Sequence, residues 1–254
     1  MAKLVFLGTA SAVSFEEHEN TYLAVQGEAG SILIDCASKP LLRLKKGGIH
    51  FMELSDLVIT HFHPDHVAGL PNLLMDMWIL GRKSEFRIYG SDHTISRVVQ
   101  MLALFDWDTW SNMYPVTFTT VPMEESQLVL DNSEFIIQSS PVDHLIPTLG
   151  LRIEYKKNGF VAAYSSDTNP VESTIRLARE ADVLIHEAAG NHQGHSSPSQ
   201  AGEIASQAQA GSLYLIHYSF YGDQTPESML LEAKKTFPGE VVLAEDFMEI
   251  EFKK

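Results

Sequence analysis

The sequence predicts an α/β protein in which two mixed β-sheets lie face to face with helices outside, an αββα layering. Two observations carry this. Strand-like apolar runs cluster in both halves of the chain and alternate with segments of helical apolar spacing. Histidines and aspartates stand just past the ends of several runs, where a rigid sandwich opens into loops. The chain has 254 residues, 44% of them apolar, enough for one large core, and no repeat or low-complexity linker divides it. The expectation is a single domain over 1–254.

Strands are expected at 3–7, 22–26, 31–35, 56–60, 86–89, 116–121, 127–130 and 134–140. A second group follows at 149–155, 160–165, 182–186, 213–217, 241–244 and 248–252. Helices are expected between them. One runs over 65–81, after Pro64 and up to Gly81. Another, over 92–105, takes Asp92 as N-cap and carries Ile95, Val98, Val99 and Leu102 at helical spacing. Three more, at 171–180, 198–210 and 226–236, begin near a proline and a Ser, Asn or Thr cap.

The net charge is −15, which argues against a general electrostatic grip on nucleic acid, since such grips need clustered Lys and Arg. The single cysteine, Cys36, precludes an internal disulfide and follows a buried-type run, so it reads as a structural thiol. The apolar stretch at the N-terminus is too short for a signal peptide, and no run is long enough to cross a membrane. A soluble cytoplasmic protein is expected.

The chemistry concentrates at His61-Phe62-His63-Pro64-Asp65-His66, directly after Leu57-Val58-Ile59. Side chains two apart on an extended segment point the same way, so His61 and His63 can share one ion. Pro64 suits a first helical position, from which Asp65 and His66 would be presented to a second ion. Imidazole and carboxylate donors suit zinc, with manganese or iron as alternatives. His144, Asp167 and His217 each follow an apolar run and are candidates to complete the set.

The motif at 61–66, followed by Val67-Ala68-Gly69-Leu70, resembles the metallo-β-lactamase superfamily. The blocks Leu7-Gly8-Thr9, His144-Leu145-Ile146-Pro147, Ser166-Asp167-Thr168, His186-Glu187-Ala188 and Gly194-His195-Ser196-Ser197 resemble its ribonuclease Z branch. So do Leu215-Ile216-His217-Tyr218-Ser219 and Ala244-Glu245-Asp246-Phe247, and the resemblance covers nearly the whole chain. It implies a metallo-β-lactamase-type αββα sandwich with two zinc ions. His61, His63 and His144 would hold one ion, and Asp65, His66 and His217 the other. Asp167 and a water or hydroxide would bridge them. Asp65 would also accept the proton of the attacking water. His195 would sit near the reacting phosphate, either to stabilise the pentacoordinate phosphate or to give a proton to the leaving oxygen as general acid, with Glu187 orienting it. Members of the branch are commonly homodimers, and Leu74, Met75, Met77 and Trp78 could form such a face here.

Two features depart from that branch. Only 23 positions separate His144 from Asp167, leaving room for two adjacent strands and none for the long arm that grips tRNA. After His217 the chain reads Ser219-Phe220-Tyr221, with Phe220 where the branch often has an arginine. The leading expectation is therefore a dinuclear zinc hydrolase of small phosphodiesters or RNA ends. The alternatives are a tRNA 3′-processing endoribonuclease, a hydrolase of carboxylic esters, lactones or thioesters, and a non-catalytic metal-binding module. Two further readings remain open. Phe105-Asp106-Trp107-Asp108-Thr109-Trp110 could cover the site or pack in the core, and His195 could cap the helix that starts near Pro198.

Overall fold

The computed structural model describes residues 2–15, 18–220 and 224–254. Fourteen strands among the described residues form two seven-stranded sheets. The first sheet contains β1 (Lys3–Gly8), β2 (Tyr22–Gln26), β3 (Ser31–Ile34), β4 (Leu54–Val58), β5 (Phe86–Ser91), β6 (Val116–Val121) and β14 (Glu249–Glu251), in the order β14-β1-β2-β3-β4-β5-β6. The second contains β7 (Gln127–Asp131), β8 (Phe135–Val142), β9 (Thr148–Tyr155), β10 (Phe160–Tyr164), β11 (Val183–Glu187), β12 (Ser212–Ile216) and β13 (Glu240–Leu243), in the order β13-β12-β11-β10-β9-β8-β7. Every expected strand is present, with ends shifted by at most two residues.

Three apolar layers hold the molecule together. The central one lies between the sheets, where Phe6, Leu23, Ile34 and Val58 of the first meet Leu151, Ile153, Tyr164 and Ile185 of the second. A second layer packs α1 (Pro40–Lys46), α3 (Leu70–Ile79) and α4 (Asp92–Ala103) on the outside of the first sheet, through Leu44, Leu73, Met77, Val98 and Leu102. The third packs α6 (Pro198–Ala208) and α7 (Pro226–Lys234) on the second sheet, through Ala201, Ala205, Met229 and Ala233. The short helix α5 (Glu172–Leu177) crosses β8 and β9. This is the expected αββα order.

The helices differ from expectation in instructive ways. The single helix foreseen over 65–81 is two: α2 (Pro64–Val67) and α3. Pro71 has no N–H with which to continue the ladder across the break. Gly69 lies so close to the preceding loop that a Cβ there would fall 1.7 Å from the Ala37 carbonyl oxygen. The cap of α4 is Ser91, whose hydroxyl accepts from Thr94 N, and Asp92 stands in the first turn instead. Ser197 and Thr225 close capping boxes on α6 and α7. Helix α1 has no counterpart in the sequence reading. It is two turns long, and its N-cap Lys39 is left-handed at φ 51°.

Parallel pairing sets where function can sit. Strands β3 to β6 run parallel, as do β10 to β13. Their carboxyl ends open at one edge of the sandwich, the place where open α/β sheets bind ligands. The two sheets are joined there by the bond from Leu149 N to Thr60 O at 3.1 Å.

Candidate metal centre

Each of the seven expected ligands stands at that edge. His61 and His63 follow β4, and Asp65 and His66 lie in the first turn of α2. His144 lies between β8 and β9, Asp167 follows β10, and His217 follows β12. Ser166 and His217 both take left-handed backbone, at φ 54°, which turns the chain sharply off the strand.

The donor atoms converge. Nε2 of His61 and Nε2 of His144 each lie 3.1 Å from Nδ1 of His63. Asp65 Oδ2 is 3.4 Å from Nε2 of both His66 and His217. Asp167 Oδ2 sits between the two groups, 3.7 and 3.8 Å from His61 and His144 and 3.5 and 3.3 Å from His66 and His217. Within each trio, His61/His63/His144 and Asp65/His66/His217, the ligand atoms all lie within 4.8 Å of one another.

These residues fit metal ions better than they fit each other. A tetrahedral ion with bonds of about 2.0–2.1 Å places its ligands roughly 3.3 Å apart, close to the spacing of the three imidazoles. Shared protons cannot satisfy three converging ring nitrogens at once. His66 Nε2 and Asp167 Oδ1 are buried without a hydrogen-bond partner.

The outward nitrogens are fixed so that lone pairs face inward. His61 Nδ1 lies 3.1 Å from Thr60 Oγ1, which donates its own proton to Asp35. His144 Nδ1 donates to Gly194 O at 2.7 Å, and His66 Nδ1 donates to Asp35 Oδ2 at 2.9 Å. Each arrangement leaves Nε2 as the inward acceptor.

Electrostatics agree with a cation-binding cluster. Burial holds the imidazoles of His61, His63 and His144 below the usual histidine range, in the neutral form a metal requires. His66 goes the other way. Burial would lower it, but the carboxylates of Asp167 and Asp35 together outweigh burial and raise it. The cluster thus favours a positive charge at His66, a role a metal ion fills in place of the proton. For Asp65 and Asp167, burial opposes ionisation, yet the surrounding histidines hold both carboxyls well below the ordinary range.

Asp35 is the residue that the sequence reading missed. It is fully buried, follows β3 in left-handed backbone at φ 62°, and accepts from His66, Thr60 N and Thr60 Oγ1. The available signal was a carboxylate closing a buried strand with no partner in sequence.

His195 and Glu187 come together beside the cluster. Nδ1 of His195 is 3.0 Å from Oε1 of Glu187. Glu187 also accepts from Thr168 N, Ser196 N and Ala189 N, at 3.2, 3.0 and 2.8 Å. Burial and the charge of Asp167 raise its carboxyl well above the ordinary range, against the opposing pull of His217 and the backbone amides. Three of its four partners are backbone N–H groups. The helix-cap reading of His195 fails, because Ser197 caps α6. His186 is structural: it is fully buried and its Nδ1 donates to Glu187 O.

A cleft of about 610 Å³ opens onto the cluster, lined in part by Ser11, His63, Asp65, Asp167, His195 and His217. The aromatic segment 105–110 does not line it. Trp107 packs edge-on against Phe118 and Trp110 stacks on Trp78 at 5.1 Å, so packing explains both. Phe220 packs against Phe15 at 5.1 Å and Tyr218 at 5.2 Å. Tyr221 lies outside the described residues.

The sandwich and its ligand cluster define a metal-dependent hydrolase of the metallo-β-lactamase fold, ribonuclease Z-like and without the long arm. The chain belongs to the family described as Anti-Pycsar protein Apyc1, whose profile matches residues 2–235. It is 28% identical to a ribonuclease Z of Methanothermobacter thermautotrophicus, over 100% of this chain and 97% of that one. That alignment spans 309 positions against 254 residues here, so the relative carries tens of residues that this chain lacks. Among solved structures, the metallo-β-lactamase fold protein YhfI from Bacillus subtilis superposes with a TM-score of 0.83 at 24% identity, covering 98% of each chain. The short form of human tRNase Z does so with 0.80 at 25%, covering 99% of this chain and 100% of that one.

Proposed function

We propose that this single-domain chain is a dinuclear zinc-dependent phosphodiesterase acting on small phosphodiesters. The observation that carries the reading is the convergence of seven donor side chains with a His195–Glu187 pair beside them. His61, His63 and His144 would hold one ion and Asp65, His66 and His217 the other, with Asp167 between. Bound there, divalent ions supply an activated water at neutral pH and a Lewis acid for the phosphoryl oxygen. Asp65, held ionised by its histidine neighbours, would accept the proton of the attacking water. His195, as imidazolium, would give a proton to the leaving oxygen, with Glu187 fixing its ring; burial lowers its proton affinity, which favours release, and the carboxylates of Asp167 and Asp65 oppose that shift. A non-catalytic module needs neither His195 nor its buried partner.

The names of the relatives favour one other reading, cleavage of RNA such as precursor tRNA. A turnover panel separates the readings: zinc-loaded protein against bis-p-nitrophenyl phosphate, cyclic nucleotides, precursor tRNA and an acyl lactone. Turnover of the diesters alone supports the proposal, and turnover of the lactone alone defeats it.

We further propose that the chain works as a cytoplasmic homodimer. No helix among the described residues is long and apolar enough to cross a membrane. The dimer face foreseen on α3 needs correction, since Leu74 and Met77 are fully buried. Met75, Ile79 and Leu80 are the exposed apolar side chains there, and Leu104 and Phe105 are exposed just past α4. Light scattering at micromolar concentration tests the oligomeric state.

A further inference from the structure

One exposed histidine stands at the mouth of the cleft, outside the ligand cluster. His192 lines the same cavity as His63 and His195, and its ring meets that of His195 edge-on, 4.7 Å between centroids. Leu145, 55% exposed, lines that cavity too. A single exposed leucine needs no explanation. An exposed leucine and an exposed imidazole in one reaction cleft offer flat and apolar contact where the polar cluster does not.

Both side chains are held by the structure that holds the metal cluster. Leu145 directly follows His144. The loop carrying His192 is closed by bonds from Gly190 N to Ser196 O and from His195 N to His192 O, both 3.0 Å. Gly194 accepts from His144 Nδ1 through its oxygen and donates to Asn169 Oδ1 through its nitrogen. Its backbone is left-handed at φ 87°, and a Cβ there would fall 2.8 Å from His144 Nδ1 and 3.1 Å from Leu145 Cγ. The loop is thus tied through Gly194, two residues from His192, to His144, the candidate ligand next to Leu145.

The layering of the rings gives the direction. His195 stacks on His217 at 5.7 Å, and His192 stands one ring further out against His195. A phosphoryl group at the cluster, with its leaving oxygen at His195, places its ester substituent alongside His192. We infer that His192 and Leu145 form a wall that binds the flat, unsaturated ring of a phosphoester substituent and sets substrate preference. This inference rests on the phosphodiesterase reading.

The test uses phosphonates, which carry one organic group and are not turned over. Calorimetry on the zinc-loaded protein should show phenylphosphonate binding more tightly than methylphosphonate. His192→Ala should cut that preference by about tenfold, within the range for losing one ring-stacking contact. Leu145→Ala should reduce it too, and His192→Phe should retain it, with the metal content of every variant unchanged. An unchanged preference in His192→Ala, or no preference in the parent protein, overturns the inference. Turnover of bis-p-nitrophenyl phosphate, measured separately, tests the underlying activity. A protein that keeps the phenyl preference without that turnover would retain the wall and lose the phosphodiesterase reading.

Discussion

The carboxylate of Asp35 accepts a hydrogen bond from Nδ1 of His66 at 2.9 Å, and neither side chain is exposed. Asp35 also accepts from Thr60, the residue next to His61, so one buried carboxylate orients residues from both halves of the ligand cluster. Loss of such an outer partner weakens metal binding by about 10–100-fold. Asp35→Ala should show that loss in a competition titration against a chromophoric chelator. Affinity equal to the parent's would mean that His66 is oriented by packing alone.

Asp35 also marks where the sequence stopped being legible. The candidate ligands were legible because each stands on a loop or first helical turn just past a strand end, and alternation in the 61–66 motif points two of them the same way. Asp35 has the same placement but no motif, and its partner is 31 positions away. Its role appears only when β3 and β4 pair in parallel. The break between α2 and α3 was hidden for a similar reason. Pro71 hints at it locally, but the close approach of Gly69 to Ala37 is a tertiary fact. The exposed face of α3 depended on the phase of that helix, which the break resets.

Removing Asp167 should empty the site. Its Oδ2 lies within 3.8 Å of four histidine nitrogens that belong to both ligand groups. The parent protein, purified without chelator, should carry two equivalents of metal by elemental analysis, and Asp167→Ala should retain less than one even after reconstitution. Two equivalents in the variant would show that Asp167 does not bridge.

His195→Ala should separate catalysis from metal binding. A lost general acid costs about 10²–10⁴-fold in turnover, and the metal content should stay at the parent level. His195 also lies near His144 and Asp167, so a drop in metal would instead make it a ligand. Glu187→Gln keeps an acceptor oxygen but replaces the carboxyl group that faces His195 Nδ1. It should reduce turnover less than His195→Ala does.

A stability prediction concerns Arg82, which is 1% exposed. Its guanidinium donates to the carbonyls of Ser84, Phe51, Leu54 and Glu85, at 3.0, 3.3, 2.7 and 2.7 Å. It also lies 5.3 and 5.4 Å from the ring centres of Phe86 and Tyr114. Arg82→Met replaces length but none of the five donors, leaving the buried carbonyl of Leu54 without its guanidinium partner. Leaving such a buried carbonyl unsatisfied costs about 1–3 kcal/mol. Urea denaturation should show a lower midpoint with an unchanged slope. A shift corresponding to under about 1 kcal/mol would mean that water reaches that carbonyl.

The protein should process precursor tRNA poorly compared with small diesters. Long RNA needs contacts away from the scissile bond, mostly from cations to phosphates. Between His144 and Asp167 this chain has only the β9–β10 hairpin, with Tyr155 paired to Phe160, and so no arm. Phe220 is engaged with Phe15 and Tyr218 and offers no charge to a phosphate. The net charge of −15 opposes encounter at long range. Screening relieves that repulsion, so RNA cleavage at subsaturating substrate should rise between about 50 and 200 mM salt, opposite to the fall seen when cationic contacts dominate. Single-turnover cleavage of a precursor tRNA across that range measures both claims. Efficient, accurately placed 3′ cleavage at submicromolar enzyme, weakening as salt is added, would make the protein a tRNA-processing nuclease with a cationic surface supplied by a second subunit.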